Sequence, residues 1–286
     1  MAVTRREFIV GAAGAALAAR LLAAEDKPPR LRLSACDWSL GAGGPGGLET
    51  AKRCSLQGLE AAVGGAADSL RIADPAYRQQ YKDAMHKTGI AVSSTAMTLG
   101  NSSPLATDPR AVAWLNQTIE ATKDLGATAI LMAFFGKGDL RKGKELKTDE
   151  VDALVARLKE VAPKAKELGV VLGLENTLSA RDNMAIMDRV GSEALQVYYD
   201  CRNSTDNGYD VPTEIRALKG RICQFHFKDG GSYLGQGVVK WEAVRDAIND
   251  IAYQGWLVLE TSCPSKDRDA DFRKNAEYVR KLFSLA

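Results

Sequence analysis

Glu175, Asp200, His226 and Glu260 each sit at the end of a short hydrophobic run, and each is of a type that binds divalent metals. The runs are GVVLGLEN (Gly169 to Asn176), LQVYYDC (Leu195 to Cys201), RICQFHFKD (Arg221 to Asp229) and GWLVLETS (Gly255 to Ser262). Their length and their β-branched and aromatic content predict strands, each followed by a helical pattern, which is the rhythm of a parallel sheet with helical crossovers. In a closed parallel barrel the C-terminal strand ends face one mouth, so residues placed late on separate strands converge there. One carboxylate closing a strand is commonly a helix cap or a loop charge. Four ligand-type residues on consecutive strands are a different matter, because charge beside a buried strand core is costly unless paired or metal-bound. Three carboxylates and one imidazole suit Mn²⁺, Mg²⁺ or Zn²⁺ better than a thiolate-preferring metal, and one Mn²⁺ is the first expectation.

Such an ion acts as a Lewis acid on a carbonyl and its neighbouring hydroxyl, which eases loss of the α-proton to an enediolate. Glu175 and Glu260 enter from well-separated strands and can flank the reacting carbon, one removing the proton and the other returning it. Two bases on two faces imply epimerisation; one competent base implies isomerisation, or elimination where a leaving group stands at the β position. Lys228 shares the face of His226 by the period of two and either meets a substrate oxygen or caps the strand into solvent. Glu60 closes a second-strand motif as a sugar-hydroxyl ligand or a plain rim charge. Trp38, Phe134 and Phe135 form either an apolar wall for a sugar ring or part of the core. Asn176 points away from Glu175 and is expected to hydrogen-bond in the loop.

The elements that must position these groups number eight strands. Four candidates precede those above: Leu31 to Trp38, Gly58 to Gly64, Ile90 to Met97 and Ala127 to Phe135. Helical patterns cover Leu48 to Gln57, Ala76 to Lys87, Pro109 to Leu125, Glu150 to Leu168, Asn183 to Gly191, Pro212 to Leu218, Trp241 to Tyr253 and Ala270 to Leu285. Asp108-Pro109 reads as an N-cap with Pro in the first turn, and Gly169 as a helix stop. The alternation predicts an α/β fold, a single-domain (β/α)₈ TIM barrel. A doubly wound open sheet is disfavoured because no GxGxxG turn opens the first crossover. The glycine-rich loop Gly41 to Gly47 lacks the Lys-Ser/Thr ending of a phosphate cradle and reads as a rim loop.

The chain has 286 residues, 45% hydrophobic and 26% charged, enough for a sizeable core. Arg5-Arg6 precedes an Ala/Gly-rich stretch interrupted by Arg20, with small residues before Glu25, so residues 1–24 read as a twin-arginine export signal and 25–286 as the barrel domain. This predicts a periplasmic protein with no integral membrane segment in its mature chain. Without residues 1–24 the basic and acidic residues balance, which gives no support to a nucleic-acid partner. The five cysteines form no CxxC pair and read as structural thiols. A homo-oligomer is compatible with the sequence.

At GLEN, DCRN, HFKD and LETS the chain resembles the xylose isomerase-like superfamily of TIM barrels, within the sugar phosphate isomerase/epimerase group that includes ketose 3-epimerases, hydroxypyruvate isomerase and inosose dehydratase. The resemblance extends over nearly all the chain beyond residue 24 through strand order, and GSYLGQGVVKW (Gly231 to Trp241) is similar to the family's loop after strand seven. It implies that Glu175, Asp200, His226 and Glu260 hold one metal, with acid/base duty for both glutamates. Ketose epimerases usually carry a histidine shortly after the strand-six Asp, and many have one just after the strand-five Glu-Asn pair. Here those places hold Asn203 and Thr177, which speaks against a ketohexose or ketose-phosphate substrate. With two histidines in the whole chain, His86 and His226, the three-zinc site of the related endonuclease IV enzymes is excluded. The expected function is a metal-dependent isomerase or epimerase of an unphosphorylated sugar or sugar derivative, with Lys228, Glu60, Trp38 and Asn203 as substrate contacts. The alternatives are a keto-sugar or keto-glycoside lyase or dehydratase, and a non-catalytic carbohydrate-binding barrel.

Overall fold

The computed structural model describes residues 31–285, and its strands close into one parallel barrel. In chain order the barrel strands are β1 (Leu31–Cys36), β2 (Gly58–Ala62), β3 (Ala91–Met97), β4 (Ala129–Ala133), β5 (Val171–Glu175), β6 (Leu195–Asp200), β7 (Ile222–Phe227) and β8 (Gly255–Leu259). Each pairs with its sequence neighbours and β8 closes on β1, with Leu31 opposite Gly255. Helices fill the crossovers: α1 (Gly47–Arg53), α2 (Pro75–Thr88), α3 (Ala111–Asp124), α4 (Thr148–Leu168), α5 (Ala180–Val190), α6 (Cys201–Asp206), α7 (Val211–Leu218), α8 (Trp241–Asp250) and α9 (Arg268–Phe283). The expected (β/α)₈ barrel is what forms, and the eight expected strands are its staves. The export segment expected at residues 1–24, and its boundary at Glu25, lie outside the described residues. No described helix is long and apolar enough to cross a membrane.

Strand parity sorts the side chains into two shells. Leu172, Leu174, Val197, Tyr199, Phe225, Phe227, Leu257 and Leu259 point outward into the large core beneath the helices, whereas Cys36, Leu131, Tyr198 and Val258 pack inside the barrel. The same parity turns Glu60, Glu175, Asp200 and His226 inward. The barrel interior is thus apolar in part and strongly polar around His226.

Three local features differ from the sequence reading. Asp108 is not the cap of α3: its carboxylate accepts the Arg110 N–H at 2.9 Å and the Arg110 guanidinium, closing a turn, so the helix starts at Ala111. α6 was not anticipated; Asp200 caps it by accepting the Asn203 N–H at 2.7 Å. The loop after β4 contains a small hairpin pairing Arg141–Lys142 with Glu145–Leu146. Gly169 does end α4, in the left-handed region that favours glycine. The five cysteines are free, as expected of structural thiols, but Cys36 faces His226.

Candidate metal centre at the barrel mouth

The four expected ligands come together. Glu175, Asp200, His226 and Glu260 offer ligand atoms that all lie within 4.8 Å of one another. Asp200 and His226 are in-register partners on β6 and β7, and Glu260 follows β8 two residues beyond Val258, the in-register partner of His226. One imidazole nitrogen is the focus: His226 Nδ1 is 2.9 Å from Glu175 Oε1, 3.3 Å from Glu260 Oε2 and 3.8 Å from Asp200 Oδ2. Three carboxylates around one nitrogen at the bottom of a cleft are costly to bury without cations, and the donor set of oxygens with one imidazole is that of a hard or borderline divalent ion. These residues therefore fit one such ion.

Lys228 is the nearest cation. Its Nζ lies 2.8 Å from Asp200 Oδ2 and 2.6 Å from Glu260 Oε2, on the same inward face as His226. The two glutamates are driven apart electrostatically. Burial pushes Glu175 up to about 7, against the opposing pull of His226. Burial acts upward on Glu260 as well, but His226 and Lys228 outweigh it and hold this carboxyl below its ordinary range. Asp200 is raised by burial, with Lys228 opposing. Burial lowers the His226 imidazolium, yet Cys36, Glu175 and Glu60 around it carry it well above its usual value. Without a metal, the site holds its charge by keeping protons.

Above the ligands opens a cavity of about 450 Å³, lined among others by Trp38, Phe135, Asn203 and Lys228. Trp38 Nε1 donates to Glu260 Oε1 at 3.1 Å, so the indole both walls the cavity and aims the carboxylate. Asn101 also lines it and was missed by the sequence reading; its Oδ1 accepts the Phe135 N–H at 3.1 Å, and no strand pattern marks it. Thr177 turns away from the cavity towards Asp139, 3.3 Å distant, and Asn176 bonds to Asn183. Phe134 is not a wall residue: it is buried in the outer core, one position out of phase with Phe135. A cavity of about 300 Å³ at the opposite end of the barrel, beside Cys223 and Tyr253, is lined without a carboxylate.

Glu60 also departs from expectation. It is fully buried beneath His226 and does not line the cavity, so it is neither a sugar ligand nor a rim charge. Its place late in a strand motif gave no sign of this depth.

The loop after β7 is organised by Asp229, which is buried and accepts backbone N–H bonds from Gly235, Gly237, Val238 and Val239 and the indole N–H of Trp241 at 2.9 Å. A Cβ at Gly237 would meet Asp229 Oδ1 at 2.1 Å, so this approach requires glycine. The loop leaves β7 directly behind Lys228.

The sequence matches the family described as xylose isomerase-like TIM barrel over residues 48–282. Among curated proteins, L-ribulose 3-epimerase of Mesorhizobium japonicum is 28% identical over 198 residues, 64% of each chain. D-psicose 3-epimerase of Enterocloster bolteae is 26% identical over 117 residues, 37% of this chain and 38% of the relative. The chain thus aligns with less than two thirds of either relative. A solved structure of L-ribulose 3-epimerase superposes with a TM-score of 0.72 at 21% identity, covering 89% of this chain and 95% of the other.

Proposed function

The chain belongs to the xylose isomerase-like TIM barrel family, and from that premise we propose that it is a divalent-metal-dependent epimerase or isomerase of an unphosphorylated sugar or sugar derivative, working through an enediolate. The observation that carries this reading is the convergence of Glu175 and Glu260, from non-adjacent strands, on the His226 cluster beneath a cavity of about 450 Å³. Glu175, Asp200, His226 and Glu260 would hold the ion, with Mn²⁺ first among candidates. When bound, the ion supplies Lewis acidity towards adjacent sugar oxygens, making the C–H between them easier to deprotonate.

The remaining work falls to side chains. Glu260, oriented by Trp38 at the edge of the cavity, is the candidate to accept the proton. Glu175, which opens onto the same cavity from a separate strand, is the candidate to return one, and the two duties exchange in the reverse direction. Lys228 reaches the edge of the cavity, where its ammonium can donate to a substrate oxygen, and Asn203, in α6 just after β6, offers an amide to the same cavity. Trp38 and Phe135 supply apolar faces for a sugar ring and limit water at the reacting carbon.

Two observations favour an uncharged sugar. Among the described residues that line the cavity Lys228 is the one basic side chain, and it pairs with Asp200 and Glu260. A phosphate would have to compete with those two carboxylates for it. Because the relatives are named for ketose 3-epimerisation, ketoses are the first substrates to test. The same pair at one cavity also suits elimination, with one glutamate taking the proton and the other protonating the leaving group. Hydrogen exchange with deuterated water, measured with metal content, tests the reading and separates the two outcomes. Export by the Arg5-Arg6 signal to the periplasm is part of the same proposal, supported by sequence alone.

A further inference from the structure

Glu60 carries a full negative charge's worth of cost inside the barrel unless something there uses it. Its side chain is completely buried, and one oxygen, Oε2, gathers three polar neighbours. His226 Nε2 lies 3.2 Å away, Ser94 Oγ donates at 3.2 Å, and the Tyr198 hydroxyl donates to the same atom. The imidazole has therefore two different sides: Nδ1 turned to Glu175, Asp200 and Glu260, and Nε2 turned to Glu60. The ring cannot easily turn over, because the rings of Tyr198 and Trp38 stand edge-on with centroids 4.8 and 6.2 Å away, and Cys36 Sγ lies 3.4 Å from Nε2.

We propose that Glu60 is a positioning residue: held by Tyr198 and Ser94, it keeps the proton on His226 Nε2 and so commits the Nδ1 lone pair to the metal. A neutral imidazole has one N–H and one lone pair, and which nitrogen carries which is set by the partner of the other. A carboxyl oxygen accepting at Nε2 stabilises that N–H and makes Nδ1 a better donor to a cation. Tyr198, two residues before Asp200 on the same inward face, fixes the Glu60 carboxylate from one strand while its neighbour supplies a ligand. This inference rests on the metal-centre reading above.

The test uses the full chain labelled with [15N]histidine. With two histidines in the sequence, a His86→Gln variant assigns the His226 signals. In Zn²⁺-loaded protein, chosen because Zn²⁺ is diamagnetic, His226 is expected to show a protonated Nε2 and an unprotonated Nδ1. By calorimetry, Glu60→Gln is expected to lower Zn²⁺ and Mn²⁺ affinity by about 10–100-fold, with the Nε2 proton signal moved upfield, and Tyr198→Phe to lower affinity less. Metal binding through Nε2 with Nδ1 protonated would overturn the proposal, and the parent spectrum decides this even if the variants fail to fold. Equal affinity in folded parent and Glu60→Gln, with unchanged His226 signals, would overturn it too while leaving the metal centre standing. A parent that binds no divalent ion would remove both.

Discussion

Glu175 and Glu260 meet at a single nitrogen, His226 Nδ1, at 2.9 and 3.3 Å, yet they are held in opposite protonation tendencies. Burial raises Glu175 to about 7, and the positive charges of His226 and Lys228 keep Glu260 ionised. Both carboxylates open onto one cavity from separate strands, so a substrate carbon held between them can lose a proton to one and gain a proton from the other.

Removing a ligand should remove the metal. Asp200→Ala and His226→Ala are each expected to lose most of the one divalent ion bound per chain, measured by elemental analysis after gel filtration. Undiminished metal in both would show that these residues do not form the site.

Metal binding should tighten as pH rises. Both Glu175 and His226 hold protons in the metal-free protein, Glu175 up to about 7 and His226 above its usual value, and a metal must displace them. Affinity is therefore expected to rise by about tenfold or more per pH unit through the range below 7, with proton release visible as a buffer-dependent binding enthalpy. The sign for stability follows. For Glu175 the folded-state value lies above the ordinary 4.5, so its contribution to the metal-free fold is complete below that value and lost as pH rises through about 7. Metal should consequently protect against thermal unfolding more at pH 8 than at pH 6. A pH-independent affinity would contradict this assignment.

Asp229 should matter more for loop order than its distance from the reaction suggests. Asp229→Ala leaves four backbone N–H groups and the Trp241 indole without their acceptor, at an expected cost of about 3 kcal/mol in unfolding free energy. Limited proteolysis should then cut between residues 230 and 240. A variant as stable and protease-resistant as the parent would refute the anchoring role.

Export should require the arginine pair. Replacing Arg5 and Arg6 by Lys and fractionating the cells is expected to leave the protein in the cytoplasm, since twin-arginine transport depends on both. Unchanged periplasmic protein would exclude that route.

Alternation and position told most of the architecture in advance. A residue two places from an inward one is inward again, so the late Glu, Asp, His and Glu of β5 to β8 had to share one mouth once the barrel closed. Depth was harder to read: Glu60 has the same parity as the ligands, but it pairs with Cys36 and Ser94 and sits below His226, whereas Glu260 lies beyond the last residues of its strand. Phe134 and Phe135 show the complementary error, since adjacent residues at a strand end face opposite shells and composition alone cannot choose between them. The helix α6 was hidden because Asp200 serves two purposes, cap through Oδ1 and candidate ligand through Oδ2. Asn101 and Tyr198 carry no motif and become visible only when the chain is folded around them.

The most direct test of the enediolate account is solvent exchange at carbon. Metal-loaded protein incubated in deuterated water with L-ribulose and a panel of keto-sugars and keto-glycosides should, with its substrate among them, place deuterium on the carbon beside the carbonyl, in both substrate and epimer. Glu175→Gln or Glu260→Gln should cut turnover by about a thousandfold, because Gln keeps the size and an oxygen ligand but cannot take the proton. An unsaturated product with a released leaving group would move the protein to the lyase reading. Metal-loaded protein that binds sugars but shows neither exchange nor elimination across the panel would contradict the enzyme account and leave a carbohydrate-binding barrel.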